Sequence, residues 1–233
     1  MSEIDTASTP TEPGERGALS VEIWFDFACP WCQIGFRRWG DALGRFAHAD
    51  RVETRWRSFE LRPGYAETPS RPLVDIMLSD WGMDEPTVTG IVERIRAEGR
   101  AAGLVLRPEG LRPTSTFDAH RLAHAAAEHG FGDVMRKSLF AACHRDLGDL
   151  ADRGLLTELA SAAGLSRTET ARLWSTDAYA DVVRAEHARA ATAGVSEVPA
   201  FRLGGRVHSG SPATGDLLGL LDQAWREQAS GAD

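Results

Sequence analysis

Two cysteines separated by two residues constrain this chain more than any other feature of its sequence. Cys29 and Cys32 directly follow segment 21–25, where apolar residues alternate as in a β-strand. After Cys32 the apolar residues take a helical spacing. They are Trp39, Ala42, Leu43 and Phe46. Pro30 suits the first turn of a helix, so the pair is predicted to lie at a strand-to-helix junction.

This position favours a reactive thiolate at Cys29. Unpaired N–H groups and the helix dipole stabilise an anion at a helix N-terminus, and the thiolate is the nucleophilic form of cysteine. We therefore predict that Cys29 is the nucleophile and that Cys32, one turn further along, resolves the mixed disulfide. A dithiol at this spacing can cycle without a metal or an organic cofactor, so no cofactor is expected.

The third cysteine bears on the alternative of a zinc site, which needs four ligands. Cys143 is followed by His144, but adjacent helical residues point about 100° apart and would not easily face one metal. Cys143 also shares an apolar helix face with Met135 and Leu139, which predicts that it is buried. No metal site is predicted, whereas a coincidental cysteine pair in a fold of another purpose remains an alternative.

Composition narrows the class of partner and the compartment. The chain has 233 residues and a net charge of −8, which argues against nucleic acid and anionic membranes as partners. No apolar run is long enough to span a membrane. Residues 1–18 are polar and are predicted to form a disordered tail rather than a signal peptide. We therefore expect a cytoplasmic protein, in which a C-x-x-C pair is more often catalytic or metal-binding than structural.

The order of the predicted elements indicates an α/β fold with a helical insertion. A second strand over 51–61 completes a β-α-β unit whose strands should be parallel. Residues 68–194 are almost wholly helical in pattern, and they include a helix over 72–81 and a last one over 177–193. Strand character returns at 198–203 and 206–208, and a closing helix follows.

We therefore divide the chain into one interrupted domain and one insertion. Residues 19–67 and 195–229 are predicted to form the α/β domain, and residues 68–194 the inserted all-helical domain.

Four segments of the chain resemble one known family. They are 26–35, which holds the cysteines, 116–122 at a helix start, 194–201 before the third strand, and Gly210 after the fourth. Together they resemble the DsbA-like branch of the thioredoxin superfamily, and most closely its FrnE-type members. The resemblance covers residues 21–223.

This resemblance implies a thioredoxin-like fold (βαβ…ββα) and thiol–disulfide oxidoreductase activity. It implies a cis peptide bond between Val198 and Pro199 beside the cysteines. Pro199 would then belong to the catalytic site, and the exposed backbone of Val198 could pair with an incoming peptide. The alternative for Pro199 is an ordinary proline at a strand entry.

Four residues are predicted to bind substrate: Pro30, Trp31, Val198 and His120. Trp31 either contacts substrate or packs over the helix start. His120 either faces the dithiol or is a packed, hydrogen-bonded histidine. Asp26 either relays a proton for Cys32 or caps the turn before the helix.

Three functions remain to be distinguished. The first is a thiol–disulfide oxidoreductase acting on protein or small-molecule thiols and disulfides, with glutathione or another low-molecular-weight thiol as a possible partner. The second is a glutathione-dependent isomerase or transferase of small aromatic substrates on the same fold. Those enzymes usually carry serine at the first redox position and lack the second cysteine. The third is a binding or chaperone module in which the cysteines are incidental.

Overall fold

A four-stranded sheet holds the cysteine pair at the end of an inner strand. The computed structural model describes residues 17–64 and 71–230. The strands are β1 (Leu19–Phe25), β2 (Val52–Ser58), β3 (Ala200–Leu203) and β4 (Arg206–Ser209). Their order is β2-β1-β3-β4. β1 is parallel to β2, as predicted, because helix α1 (Pro30–Leu43) makes the crossover between them, whereas β3 is antiparallel to β1 and to β4.

The helical insertion lies between β2 and β3, and a last helix closes the chain. The inserted helices are α2 (Leu73–Ser79), α3 (Glu85–Ala101), α4 (Phe117–Glu128), α5 (Gly132–His144), α6 (Arg153–Ala163), α7 (Arg167–Ser175) and α8 (Ala180–Thr192). The closing helix is α9 (Thr214–Ser230). This arrangement confirms the predicted thioredoxin-like βαβ…ββα fold with a helical insertion.

Several predicted bounds were wrong in detail. α1 ends at Leu43, although buried Phe46 continues its apolar spacing. β2 spans seven residues and ends at Ser58 rather than at residue 61. α8 begins only after Tyr179, whose φ of 62° is left-handed, and α7 was not predicted.

The sheet is covered on both faces, so side chains on both faces of β1 are buried. One face packs against α1 and α9, where Ile23 and Phe201 join the apolar core. The other face is covered by the insertion, so Trp24 and even Glu22 are buried. Glu22 tolerates burial because Arg57 donates to its carboxylate at 2.8 Å.

Two predictions concern residues that the structure does not describe. Nearly all of the predicted tail at 1–18, and the predicted boundary between residues 67 and 68, lie outside the described residues. Within 17–64 and 71–230, no helix is both long and apolar enough to cross a membrane.

Candidate active site

The cysteine pair lies at the N-terminus of α1, as the sequence predicts. Cys29 is the residue before the helix, and its backbone is extended (φ −91°, ψ 113°). Its carbonyl oxygen accepts hydrogen bonds from the backbone N–H of Cys32 at 3.0 Å and of Gln33 at 3.3 Å. Both cysteines are free thiols, and their exposed fractions are 4% for Cys29 and 1% for Cys32.

The loop before β3 meets the outer sulfur. The Val198–Pro199 peptide bond is cis, as the family resemblance implies. The Cys29 thiol lies 3.7 Å from the carbonyl oxygen of Val198. A glycine at position 35 lets helix α1 approach Pro199 closely, since a Cβ there would lie only 3.0 Å from Cγ of Pro199. The helix and the loop are therefore packed closely at the dithiol.

The inner sulfur is enclosed by the protein. The backbone N–H of Asp26 donates to Sγ of Cys32 at 3.5 Å. Burial and the neighbouring Cys29 raise the pKa of the Cys32 thiol well above its ordinary value. Cys32 therefore holds its proton until a reaction removes it.

Asp26 is a buried carboxylate beneath the pair. Its Oδ1 accepts from the backbone N–H of Ala28 at 3.1 Å, and its Oδ2 accepts from that of Leu61 at 2.7 Å. Burial alone would raise the pKa of Asp26, but His120 and these two N–H groups hold it below its ordinary value. Asp26 thus caps the turn before α1, as one of the two interpretations predicts, and it is also ionised next to the dithiol.

His120 lies behind Asp26 and not beside the substrate side of the dithiol. Its Nε2 is 3.7 Å from Oδ1 of Asp26, and its ring packs between those of Phe25 and Phe27, with centroids 5.2 and 4.8 Å away. Its exposed fraction is 1%, and neither ring nitrogen has a hydrogen-bond partner among the described residues. His120 is thus the one predicted substrate-binding residue that does not line the cavity described below.

Two further ionisable groups surround this carboxylate. Nε2 of His144 donates to the backbone oxygen of Phe27 at 2.8 Å, and burial lowers the pKa of His144 to about 4, so its ring is neutral. Burial and the charge of Asp26 raise the pKa of Glu60 to about 7. Glu60 therefore takes up and releases a proton near neutral pH, close enough to Asp26 for the charge of that carboxylate to act on it.

A largely apolar cavity of about 350 Å³ opens beside Cys29. Pro30, Trp31 and Val198 line it together with Cys29, so the structure brings these predicted site residues together. Its far wall comes mainly from α2, α3 and the loop after α3, through Leu73, Val74, Met77, Ile91, Val92, Ile95, Pro108 and Leu111. Such a size and lining suit an apolar group of a small ligand or of a side chain.

Sequence patterns alone did not reveal this wall or the residues that follow β2. The apolar stripe of α3 is visible in the sequence, but the surface that it covers is not. Glu60, Leu61 and Arg62 follow β2, and the carboxyl ends of parallel strands meet at one edge of the sheet. Their position after a strand parallel to β1 was the signal that could have identified them. The guanidinium of Arg62 lies 4.3 Å from the ring centre of Trp81 at the cavity.

The third cysteine lies apart from the cavity. Cys143 is buried on α5, and burial raises its thiol pKa beyond the ordinary range. In the part of the chain that the structure describes, no group of three or more His, Cys, Asp or Glu side chains is placed to hold a metal ion.

Comparison with known proteins defines the family. The model of the DSBA-like thioredoxin domain matches residues 20–222, and the chain belongs to this family. It is 36% identical to the probable DsbA oxidoreductase SCO1869 from Streptomyces coelicolor. That crystal structure superposes with a TM-score of 0.85 over 90% of this chain and 91% of its own. The predicted DsbA-like relationship is confirmed.

Two more distant solved structures share the fold. A 2-hydroxychromene-2-carboxylate isomerase is 17% identical, with a TM-score of 0.61 over 92% of this chain and 98% of its own. The cytosolic disulfide reductase DsbM from Pseudomonas aeruginosa, solved with GSH, is 19% identical, with a TM-score of 0.57 over 92% and 99%. At these identities the likeness concerns the fold alone.

Proposed function

We propose that this chain is a thiol–disulfide oxidoreductase that works through the Cys29–Cys32 dithiol. The observation that carries the proposal is the placement of the two sulfurs. Cys29 lies at the helix N-terminus and lines the apolar cavity, whereas Cys32 is enclosed one turn behind it. Cys29 attacks a substrate disulfide, or is attacked as part of its own, and Cys32 resolves the mixed disulfide.

The surroundings of Cys29 supply the substrate contacts in this proposal. Pro199 positions Val198, whose backbone oxygen lies against the Cys29 sulfur. Pro30 and Trp31 form the adjoining cavity wall. Substrates are protein or small-molecule disulfides and thiols. Glutathione is included because DsbM, which shares the fold, was solved with GSH.

A cytoplasmic location is part of the same proposal. The fold is shared with a cytosolic disulfide reductase, and the sequence argues against an anionic membrane surface as partner. The reduction potential of the dithiol would fix the direction of reaction. A value near about −120 mV would make it an oxidant, and one near about −270 mV a reductant.

Single cysteine substitutions test the proposal. Reduced protein is mixed with glutathione disulfide, and the adducts are identified by mass spectrometry after acid quenching. Cys32→Ser should trap the glutathione mixed disulfide on Cys29, because the resolving sulfur is missing. Cys29→Ser should abolish the adduct and all turnover. Cys143→Ser is the matched control and should behave like wild type. A Cys29→Ser variant that still cycles at the wild-type rate would show the proposal to be wrong.

The cavity also favours a second candidate, a glutathione-dependent isomerase or transferase of small aromatic substrates. Its volume and apolar lining fit a small aromatic molecule placed beside Cys29. Cys32→Ser separates the two candidates. It should stop disulfide cycling but not isomerisation, since isomerisation with glutathione does not need a resolving cysteine.

An incidental role for the cysteines, as in a binding module, predicts that replacing both leaves function intact.

A further inference from the structure

A second, smaller cleft lies between β2, α4 and α5. It has a volume of about 190 Å³. Its lining residues are Phe25, Thr54, Trp56, Ser58, His120, Ala123, His124, Ala127 and Arg136. None of them lines the cavity beside Cys29, so the cleft is a separate opening that a substrate in that cavity would not occupy.

His120 connects this cleft with the carboxylate beneath the dithiol. It lines the cleft, and its Nε2 lies 3.7 Å from Oδ1 of Asp26. Both of its ring nitrogens are buried and lack a hydrogen-bond partner within residues 17–64 and 71–230. An unpaired buried nitrogen costs about 1–3 kcal/mol, so its presence in a native structure calls for an explanation such as a catalytic role or a bound water. The cleft also presents the polar side chains of Ser58 and His124, which can hold water.

The dithiol needs a route for one proton. Cys32 holds a proton in the reduced pair, and its sulfur must lose it to attack Cys29. With 1% exposure, Cys32 cannot pass the proton directly to solvent. A bound substrate would cover the side of Cys29 that faces the cavity. Asp26 is ionised, its backbone N–H contacts the Cys32 sulfur, and the charge of its carboxylate contributes to the raised pKa of the Cys32 thiol. The Asp26 carboxylate is therefore the nearby base.

We propose that His120 carries this proton between Asp26 and the cleft, so that the dithiol exchanges protons with water through an opening separate from the substrate cavity. The inference rests on the proposed redox function. The Cys32 sulfur attacks the Cys29 sulfur of the mixed disulfide, and a Cys29–Cys32 bond forms. The bond from Cys29 to the substrate sulfur breaks, and that sulfur leaves as a thiolate. The proton of Cys32 passes to the Asp26 carboxylate and then, through His120, to water in the cleft.

Other ionisable groups around His120 have their own partners or are buried as neutral groups. On α4 and α8, Nε2 of His124 lies 3.0 Å from Glu186 and 3.0 Å from the hydroxyl of Ser58. On α5, three ionisable groups are buried: Arg136, Cys143 and His144. Arg136 pairs with Asp133. After β2, burial and the charge of Asp26 raise the pKa of Glu60 to about 7. It therefore adds a second ionisation to any pH profile of the resolving step.

Substitution of His120 with chemical rescue tests the inference. Reduced protein is mixed with glutathione disulfide, and the Cys29 mixed disulfide and the Cys29–Cys32 disulfide are followed by acid quench and mass spectrometry across pH. In His120→Ala the mixed disulfide should accumulate, because resolution slows by about tenfold or more. The removed ring leaves a space continuous with the cleft. Added imidazole should therefore restore the rate in proportion to its unprotonated fraction.

Two further variants keep the result interpretable. His144→Ala removes an equally buried histidine that does not line the cleft, so imidazole should not accelerate its resolving step. His120→Gln keeps the volume but cannot carry a proton near neutral pH. It should show the same slow resolution if His120→Ala fails to fold.

The outcomes separate this inference from the proposed function. Resolution at the wild-type rate in His120→Gln, or equal rescue of His120→Ala and His144→Ala by imidazole, would overturn the proton path alone. A wild-type protein that forms neither disulfide would overturn the redox function and the proton path with it.

Discussion

The two sulfurs of the pair lie in different surroundings, although only two residues separate them. Cys29 meets a cavity and a backbone carbonyl, whereas Cys32 is enclosed above a buried carboxylate. The sequence predicts this division of roles because a helix N-terminus and a first turn are local features. It does not predict His120 or Glu60 as neighbours of Asp26, because their placement depends on packing between segments distant in the chain.

Glu60 should make stability depend on pH. Its pKa is about 7 in the folded chain, against an ordinary value of 4.5, because burial and Asp26 disfavour its charge. Its stabilising contribution is therefore fully present below pH 4.5 and is lost as the pH rises through 7. We expect Glu60→Gln to lose less stability than wild type between pH 5 and 8, by about 1–2 kcal/mol after allowance for partial exposure.

Urea unfolding at the two pH values measures this difference. Glu158→Gln, which changes an exposed glutamate on α6, is the control and should follow wild type. Parallel stability curves for Glu60→Gln and wild type would show that Glu60 ionises as an ordinary surface glutamate.

At the scale of elements, α1 packs closely against the loop of Pro199 because position 35 of the helix is a glycine. A Cβ on Gly35 would lie 3.0 Å from Cγ of Pro199, whereas one on Gly40 of the same helix would meet nothing within 4 Å. Gly35→Ala should therefore cost about 1–3 kcal/mol and slow the reaction of Cys29 with glutathione disulfide. Gly40→Ala should instead stabilise the protein by about 0.5–1 kcal/mol.

Thermal melting and the rate of adduct formation measure both variants. The pair is matched, since the two positions differ in their contacts and not in the element that they occupy. Equal effects of the two substitutions would mean that the contact with Pro199 does not limit the position of α1.

The carboxylate of Glu186 on helix α8 makes several contacts with β2 and α4. Glu186 accepts from Arg57 at 2.9 Å and from the backbone N–H of Ser58 at 2.8 Å, and it pairs with His124 at 3.0 Å. Burial would raise the pKa of Glu186, but His124, Ser58 and Arg57 lower it to about 2. We expect Glu186→Gln to reduce the free energy of unfolding by about 3 kcal/mol, because Arg57 loses one of its buried partners.

The pH dependence of this loss has a defined sign. The contribution of Glu186 is present above its ordinary pKa of 4.5 and is lost as the pH falls toward 2. Denaturant unfolding of the variant and wild type should therefore converge in acid. Glu53→Gln, which removes an exposed pair with Arg55, is the control and should leave stability unchanged. A constant difference at every pH would point to lost packing rather than lost charge.

Element prediction from the sequence succeeded where an apolar stripe was long and failed where other signals dominated. The helix α3 was predicted from its apolar stripe, and the turn between β3 and β4 was predicted from its glycines. α7 has few apolar residues, and it is marked instead by the capping box of Ser166 and Glu169, which a search for stripes does not detect. α8 starts late because Tyr179 takes a left-handed conformation that periodicity does not encode.

The whole molecule has a core that joins the sheet and the insertion. Trp24, Phe25 and Phe27 from the sheet side belong to the same buried cluster as Leu139 and Phe140 of the insertion. The sequence predicts the two parts from the order of the predicted strands and helices. It does not predict that their apolar surfaces merge, because that surface exists only once the elements have packed. The division into an α/β domain (residues 19–67 and 195–229) and an inserted helical domain (residues 68–194) remains a prediction.

This shared core should make the two parts unfold together. Phe140 on α5 is buried against rings of the sheet side, with centroids 5.9 Å from Phe25 and 5.0 Å from Phe27. Phe140→Ala should cost about 3–5 kcal/mol and should speed the exchange of the most protected amide hydrogens equally in β1 and α5. Hydrogen exchange with mass spectrometry measures both elements in one experiment, and Val134→Ala, at an exposed position of α5, should change neither. Faster exchange in α5 with unchanged protection in β1 would show that the insertion unfolds independently, since a separate unit would lose its own stability without transmitting that loss to the sheet.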